Sequence, residues 1–211
     1  MDSFQFKIED KFLPLLHEQV WEVKDKLERY TELTVSDFAE ILDLLPPAPG
    51  IVMDFGTGIG RAAIYHNYIN GHKSHYILAD RDGDSKNNTG EYGPSEDQYY
   101  NDLALTGEFC KLNGIKSFQT FDTEAGDWSK LPKVDFIMSH YSLGFHVSVD
   151  RYIDRLHSIL APGGTILLGV RHSYHLKDYS KLFKTQMFRE SPNKPPLPTQ
   201  HWLLLKDPIK P

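Results

Sequence analysis

The sequence predicts an α/β protein of three layers, in which helices cover both faces of a mostly parallel sheet. Two observations favour this class. From residue 51 onward, short apolar runs alternate with stretches whose apolar residues recur at helical spacing. Glycine- and proline-containing segments separate many of these runs and mark their ends. Strands that are joined through helices run parallel, and ligands of such sheets bind beyond the carboxyl ends of the strands.

Composition and charge narrow the class of protein further. The chain has 211 residues, of which 40% are hydrophobic and 25% charged, which suits one ordinary α/β domain. The formal net charge is −6 and no Lys/Arg cluster stands out, so no nucleic-acid partner is expected. Cys110 is the single cysteine, which excludes an intrachain disulfide and a cysteine zinc site, and no metal is predicted. The first residues lack the pattern of a signal peptide and no apolar run reaches ~20 residues, so we expect a cytoplasmic protein without a membrane partner.

The N-terminal part of the chain predicts two amphipathic helices. One begins near Pro14 and continues to about Tyr30, and the second begins at Ser36, a suitable N-cap, and ends before "PPAPG". We interpret residues 1–48 as a helical cap on a core formed by residues 49–211, within a single domain.

The remaining elements follow in chain order. Strands are predicted at 51–55, 75–80, 117–122, 134–143 and 164–172, with a final antiparallel pair at 185–191 and 200–207. Helices are predicted at 60–69, 100–114, 149–160 and 176–183.

The segment "DFGTGIGRAAI" places three glycines, Gly56, Gly58 and Gly60, between the first strand and its helix. A phosphate-binding P-loop would end in Gly-Lys-Ser/Thr, and a dinucleotide loop would need a glycine where Arg61 stands. The third candidate ligand is S-adenosylmethionine (SAM), whose zwitterionic amino-acid end suits a bare backbone with Asp54 close to its ammonium group. A tight strand-to-helix turn without a ligand is the remaining alternative.

Acids at the ends of the next two strands support the SAM interpretation. Asp80 ends the second strand, where a carboxylate can accept hydrogen bonds from both ribose hydroxyls. Asp122 and Thr123 end the third strand, where they could contact the adenine amino group.

Together these stretches resemble the class I SAM-dependent methyltransferases. The resemblance is carried by "VMDFGTGIG", "ILAD", "TFD", "VDFIMSHYSL" and "LAPGGTILLGV", in family order over about residues 50 to 172. It implies a Rossmann-like three-layer sandwich with a seven-stranded sheet of order 3-2-1-4-5-7-6, in which strand seven is antiparallel. It also implies SAM as cofactor, with these candidate binding residues: Asp54, Gly56, Thr57, Gly58, Gly60, Asp80, Arg81, Asp122, Thr123 and Ser139.

Two further stretches, "YYNDLALTGEFCKLNGI" and "SHYSLGFHVSVDRYIDRL", resemble the sugar O-methyltransferases of polysaccharide and glycoside pathways. This likeness implies a small polar hydroxylated acceptor, such as a sugar or a nucleotide-linked or phosphorylated sugar. Methyl transfer to a hydroxyl is helped by a base near the ends of strands four and five. The candidates are His146, His140, Tyr141 and His172, although each histidine could instead have a structural role.

Several alternatives stay open at this point. The Pro-Pro-aromatic signature of amide N-methylation is absent, because strand four ends in "SHYS", but N-methylation of a small amine is not excluded. The chain could also be a SAM-binding regulatory subunit that needs a partner, or it could form a homodimer. Arg61 and Arg171 could meet an anionic group of the acceptor. The long loop 81–100, with Tyr92, Tyr99 and Tyr100, could act as a lid.

Overall fold

The computed structural model describes residues 4–19, 28–83, 101–192 and 200–209. Five α-helices lie in these ranges: α1 (Leu13–Gln19), α2 (Glu28–Ala39), α3 (Arg61–Ile69), α4 (Leu103–Leu112) and α5 (Ile153–Ile159). The strands are β1 (Ile51–Phe55), β2 (His75–Asp80), β3 (Phe118–Asp122), β4 (Val134–Ser139), β5 (Leu160–Val170), β6 (Phe183–Arg189) and β7 (His201–Pro208). Among the described helices, none is long and apolar enough to cross a bilayer.

The seven strands form one sheet of order β3-β2-β1-β4-β5-β7-β6. Strand β7 is antiparallel to both of its neighbours, while β1 to β5 run parallel to one another. This strand order, with its antiparallel β7, confirms the predicted Rossmann-like fold class. The strand order reverses between β1 and β4, and the carboxyl ends of these strands form the crevice where ligands of such sheets bind.

Two apolar clusters hold the layers together, one on each face of the sheet. Helices α1 to α4 contribute to the first cluster, whose fully buried members include Tyr30, Phe38, Phe109 and Trp202. Helix α5 and the segment before β6 contribute to the second, with Leu156 and Tyr179 among its buried members. Alternate residues of β1 point into opposite clusters, as the period of two in a strand requires. The N-terminal helices therefore share the core of the sheet.

The predicted start of a second helix at Ser36 is wrong, because Ser36 lies inside α2. The helix is continuous here since Tyr30, Thr34 and Phe38 recur every four residues and are all buried. The Thr34 hydroxyl donates a hydrogen bond to the Tyr30 carbonyl, one turn earlier in the same helix, and therefore does not cap the start of a new helix. The middle of the predicted first helix, residues 20–27, lies outside the described residues.

Two further boundaries differ from the sequence prediction. Residues 176–183 contain no α-helix. A short 3₁₀ turn, His172–Leu176, is followed by irregular chain. The Gln186 side chain holds this chain in place, because its Oε1 accepts a hydrogen bond from the Tyr179 backbone N–H. Strand β4 ends at Ser139, four residues earlier than predicted, because the chain turns sharply at Tyr141. The proposed lid tyrosines Tyr92, Tyr99 and Tyr100 lie outside the described residues.

Candidate active site

The glycine loop between β1 and α3 is a left-handed turn at every glycine. Gly56, Gly58 and Gly60 have φ values of 69°, 53° and 89°, which glycine adopts without the cost that other residues meet. A Cβ at Gly56 would lie 1.9 Å from the Ser142 Oγ, and one at Gly60 would lie 2.2 Å from the Cys110 Sγ. These two glycines therefore let the loop pack against the protein itself, a reason that sequence alone did not supply.

The Asp54 carboxylate accepts two hydrogen bonds that hold this loop in place. Its side chain is 1% exposed, and Oδ2 accepts from the Thr57 hydroxyl at 2.9 Å and from the Ala63 backbone N–H at 3.1 Å. Burial raises the pKa of Asp54 to about 7, against the effect of these two hydrogen bonds. The carboxyl thus joins the loop to the first turn of α3, and a contact with the ammonium group of SAM stays a prediction.

Asp80 holds the other side of the loop. Its Oδ2 accepts from the Gly58 backbone N–H at 2.8 Å, and its Oδ1 accepts from the Arg81 backbone N–H at 2.8 Å. Burial raises the pKa of Asp80 to about 6. A carboxylate has about four acceptor positions, so this partly exposed group retains capacity for ribose hydroxyls while it fixes the loop.

The end of β3 lies beside Asp80, since Asp80 and Asp122 are register partners. Asp122 Oδ1 accepts from the backbone N–H groups of Glu124 and Ala125, and Thr123 is buried with its N–H bonded to the Asp80 carbonyl. Behind this turn, the Trp128 ring lies 5.1 Å from that of Phe121, between ring centroids, in an aromatic cluster. The predicted adenine-binding residues therefore share one edge with Asp80.

Strand β4 ends in a strained turn. Tyr141 has φ of 54°, an uncommon conformation for a residue with a large side chain. Its backbone N–H donates to Gln200 Oε1 at 2.9 Å, and the buried Ser139 hydroxyl accepts from the Leu143 N–H. Tyr141 itself is 37% exposed at this edge of the sheet. Strained residues of this kind cluster at functional sites.

His140 is buried beside this turn without satisfying either ring nitrogen. The residue is 9% exposed, and neither Nδ1 nor Nε2 has a hydrogen-bond partner among the described residues. Its ring stacks on Phe38 of α2 at 4.9 Å and meets Trp202 edge-on at 5.1 Å. Burial, with a smaller effect from the charge of Arg61, lowers the pKa of His140 to about 3. The imidazole is therefore neutral while α2 covers it.

Arg61 is the centre of a polar cluster under α2. Its Nη2 donates to Asp37 Oδ2 at 2.7 Å, and its guanidinium lies 5.9 Å from the centre of the Tyr141 ring. The hydroxyl of Tyr30 is also buried close to this charge and has no hydrogen-bond partner among the described residues. Asp37 and Tyr30 were not among the candidate residues, because the pattern of α2 explains both as ordinary members of an amphipathic helix.

The remaining candidate residues lie further along the same edge. His146 is half-buried in the loop after β4, and Arg171 donates to the Phe145 carbonyl at 3.1 Å. His172 is more exposed, and its ring lies 5.0 Å from that of His201 and 4.6 Å from that of His175. The carboxyl edge past β4 is thus lined by imidazole, phenol and guanidinium groups.

Comparison with known proteins identifies the family of this chain and finds the same fold in solved structures. The model of a family described as "Methyltransferase domain" matches residues 27–204. A SAM-dependent O-methyltransferase of Thermotoga maritima is similar in structure (TM-score 0.55, 15% identity, 84% of this chain and 66% of that chain). An rRNA methylase of Streptococcus thermophilus is also similar in structure (TM-score 0.52, 14% identity, 84% of this chain and 97% of that chain). A precorrin-6y C5,15-methyltransferase of Geobacter metallireducens is similar as well (TM-score 0.50, 13% identity, 83% of this chain and 86% of that chain). No curated protein sequence matches significantly.

Proposed function

The chain belongs to the methyltransferase-domain family, and from that premise we propose that it methylates a hydroxyl group of a small polar acceptor. The acceptor class that we favour is a sugar, or a nucleotide-linked or phosphorylated sugar, of polysaccharide or glycoside biosynthesis. The cofactor of this class of enzyme is SAM, which supplies an electrophilic methyl group on a sulfonium. The similar structures act on different acceptors by their descriptions, so the proposed acceptor follows from the sequence resemblance to sugar O-methyltransferases and from the polar side chains of this site.

The described residues fit the cofactor. The left-handed glycines let the loop pack against Ser142 and Cys110, which fixes the backbone that would hold the methionine end of SAM, and Asp80 retains acceptor positions for the ribose. The orphaned hydroxyl of Tyr30 supplies a buried polar atom close to the same loop. Buried polar groups are rarely left without partners, so its lack of one favours a polar ligand here.

The observation that carries oxygen methylation is the set of proton-accepting side chains at the end of β4. Transfer to a hydroxyl breaks the S–CH₃ bond, forms an O–CH₃ bond and releases the hydroxyl proton, which needs an acceptor. His140 and His146 supply ring nitrogens at this edge, and Tyr141 supplies a phenol oxygen held in place by its strained backbone. The residues position the acceptor and remove its proton, and no metal is part of this proposal.

The test combines a binding and a turnover measurement. We expect the protein to bind SAM and S-adenosylhomocysteine (SAH) in calorimetry, and to produce SAH with hydroxylated acceptors from a panel of sugars and sugar phosphates. H140N or H146N should reduce turnover by ~10²-fold or more and leave SAH affinity unchanged. H157N is the matched control, because His157 lies on α5 and contacts the Ile209 carbonyl on the far face of the sheet.

Full activity of both variants would reject His140 and His146 as the base and leave Tyr141 or His172 as candidates. Preferential methylation of amines would favour the alternative of small-molecule N-methylation. SAH production that requires a second protein would favour the alternative of a SAM-binding regulatory subunit. A cytoplasmic location and a homodimer or partner subunit stay predictions.

A further inference from the structure

A partly buried ion pair joins helix α2 to the end of the glycine loop. Arg61 and Asp37 meet at 2.7 Å, and their side chains are 17% and 16% exposed. The side chain of Tyr141 forms a hydrogen bond with the same carboxylate. A guanidinium and a phenol that converge on one carboxylate are the groups by which proteins recognise carboxylic acids. The end of the loop therefore contains a carboxylate-binding site that is filled by the protein's own Asp37.

This arrangement does not serve stability well. Burial raises the pKa of Asp37 above its usual range, although Arg61 and Tyr141 act in the opposite direction. The desolvation of two charges offsets much of their attraction, and apolar residues in their place would often hold a fold as well or better. The pair thus needs an explanation other than the stability of the helix contact.

The next residue along α2 covers an unsatisfied group. Phe38 stacks on His140, whose two nitrogens have no partner among the described residues. Such a ring, more than nine-tenths buried, loses its hydrogen bonds to water without replacement. One turn of α2 therefore covers both a carboxylate site and an imidazole that lacks a partner. A polar ligand that displaced this turn would replace Asp37 as the partner of Arg61 and would give His140 a hydrogen-bond partner.

We propose that Asp37 occupies the subsite for a carboxylate of the acceptor, and that the acceptor is a hydroxylated carboxylic acid such as a sugar acid. This proposal rests on the proposed function, since the acceptor is the molecule that replaces Asp37. The acceptor's carboxylate takes the place of Asp37 between Arg61 and Tyr141. The displaced turn carries Phe38 with it, which uncovers His140 for the acceptor's hydroxyl. Asp37 thus occupies the site until a carboxylic acid that fits it binds in its place.

The segment after α2 provides matched control positions. Glu40 accepts from the Ser191 hydroxyl and the Trp202 indole, and Asp43 forms two hydrogen bonds to Arg189, at 2.8 and 2.7 Å. These contacts hold the same segment against β6 and β7. Asp43 is paired with Arg189 of β6, so its removal loosens the segment and leaves the carboxylate site filled by Asp37.

The experiment measures binding of matched sugars to the SAH-loaded protein. The probes are glucose, galactose, their uronates and their 6-phosphates. We expect each uronate to bind more tightly than its neutral sugar, and D37N to increase uronate affinity by about tenfold or more, a larger gain than for the neutral sugar. R61Q should abolish the preference for uronates, and D43N should leave the affinities as in the wild type.

Four outcomes would overturn the inference. These are no uronate binding to D37N, weaker uronate binding to D37N than to the wild type, equal gains in D37N and D43N, or a preference for the neutral sugars or phosphates. Methylation of neutral sugars without a uronate preference would reject this inference and leave the proposed function standing, whereas loss of SAH binding by the wild type would reject the proposed function itself.

A measurement on the wild type covers the case in which D37N does not fold. Backbone amides of residues 37–43 should exchange hydrogen faster when a uronate is bound than when its neutral sugar is present. Unchanged or slower exchange would contradict displacement of the turn.

Discussion

At the scale of single residues, the carboxylates of the candidate site have structural roles beside the cofactor contacts predicted for them. Asp54 and Asp80 each accept backbone N–H groups of the loop or of the helix that follows it. Sequence reasoning assigned both acids to the cofactor alone. The structure shows that each also fixes the loop, so removal of either changes the shape of the site together with its charge.

Replacement of Asp80 by alanine should weaken SAH binding at least about tenfold, because hydrogen bonds to charged groups contribute roughly 1.5–3 kcal/mol. Isothermal calorimetry at fixed pH and salt measures the change. D135A is the matched control: Asp135 also accepts two backbone N–H groups, from Gly50 and Ile51 at 2.9 Å, but at the opposite edge of the sheet. An equal loss of SAH affinity in D135A would indicate a general destabilisation instead of a direct role of Asp80.

At the scale of elements, the glycine loop fits between α3 and α4. Gly60 begins α3 in a left-handed conformation, and its α-carbon faces the Cys110 thiol of α4. The Thr106 hydroxyl of α4 also donates to the Gly58 carbonyl at 2.7 Å. Helix α4 therefore supports the loop from the outside, and the spacing between them has no room for a side chain at Gly60.

The variant G60A should lower the free energy of unfolding, and the cost should be smaller in a C110A background. The C110A change removes the clash of the new Cβ, which would lie 2.2 Å from Sγ, whereas the left-handed strain of roughly 1–2 kcal/mol remains in both backgrounds. A double-mutant cycle by urea denaturation measures the coupling. Equal costs of G60A in both backgrounds would contradict this account.

At the scale of the whole molecule, the shifted pKa values of the acids and of the histidines change stability with pH in opposite directions. Burial raises the pKa of Asp54 to about 7 and that of Asp80 to about 6, and it lowers the pKa of His66 to about 4 and that of His140 to about 3. As pH rises from 4 to 7, the two acids lose stabilisation, because the folded state retains protons that the unfolded chain releases. Over the same range the contribution of the two histidines to stability increases. At pH 4 the unfolded chain holds more protons on them than the folded state does, and it releases these protons as the pH rises.

D54N should therefore gain stability relative to the wild type as pH rises from 4 to 7, by up to about 1.4 kcal/mol per pH unit. Asparagine can keep the two hydrogen bonds that Asp54 accepts, so the change isolates the titration. Denaturant unfolding at several pH values gives the difference between the two proteins. A difference that does not vary with pH would show that Asp54 titrates in its ordinary range, and the exposed acid Asp154, changed to asparagine, provides the baseline.

The sequence by itself determined the sheet and the position of the site on it. Apolar runs such as "IVMDF" and "HYILAD" are strands in the structure because a buried parallel strand needs little beyond local apolar character. The glycine spacing and the acids that follow each strand lie at one edge for the same reason, since the topology of such a sheet brings these strand ends together.

The tertiary structure alone decided what covers that edge and which side chains meet there. The start of α2 was misplaced because its continuity depends on burial of Tyr30 and Phe38 against the sheet, which local propensity cannot report. The contact of Asp37 with Arg61 joins residues that are far apart in the chain, and no periodicity encodes it. From the sequence, His140 was expected to titrate near pH 7. In the structure, Phe38 and Trp202 from two distant segments pack against it, and this burial keeps the imidazole uncharged.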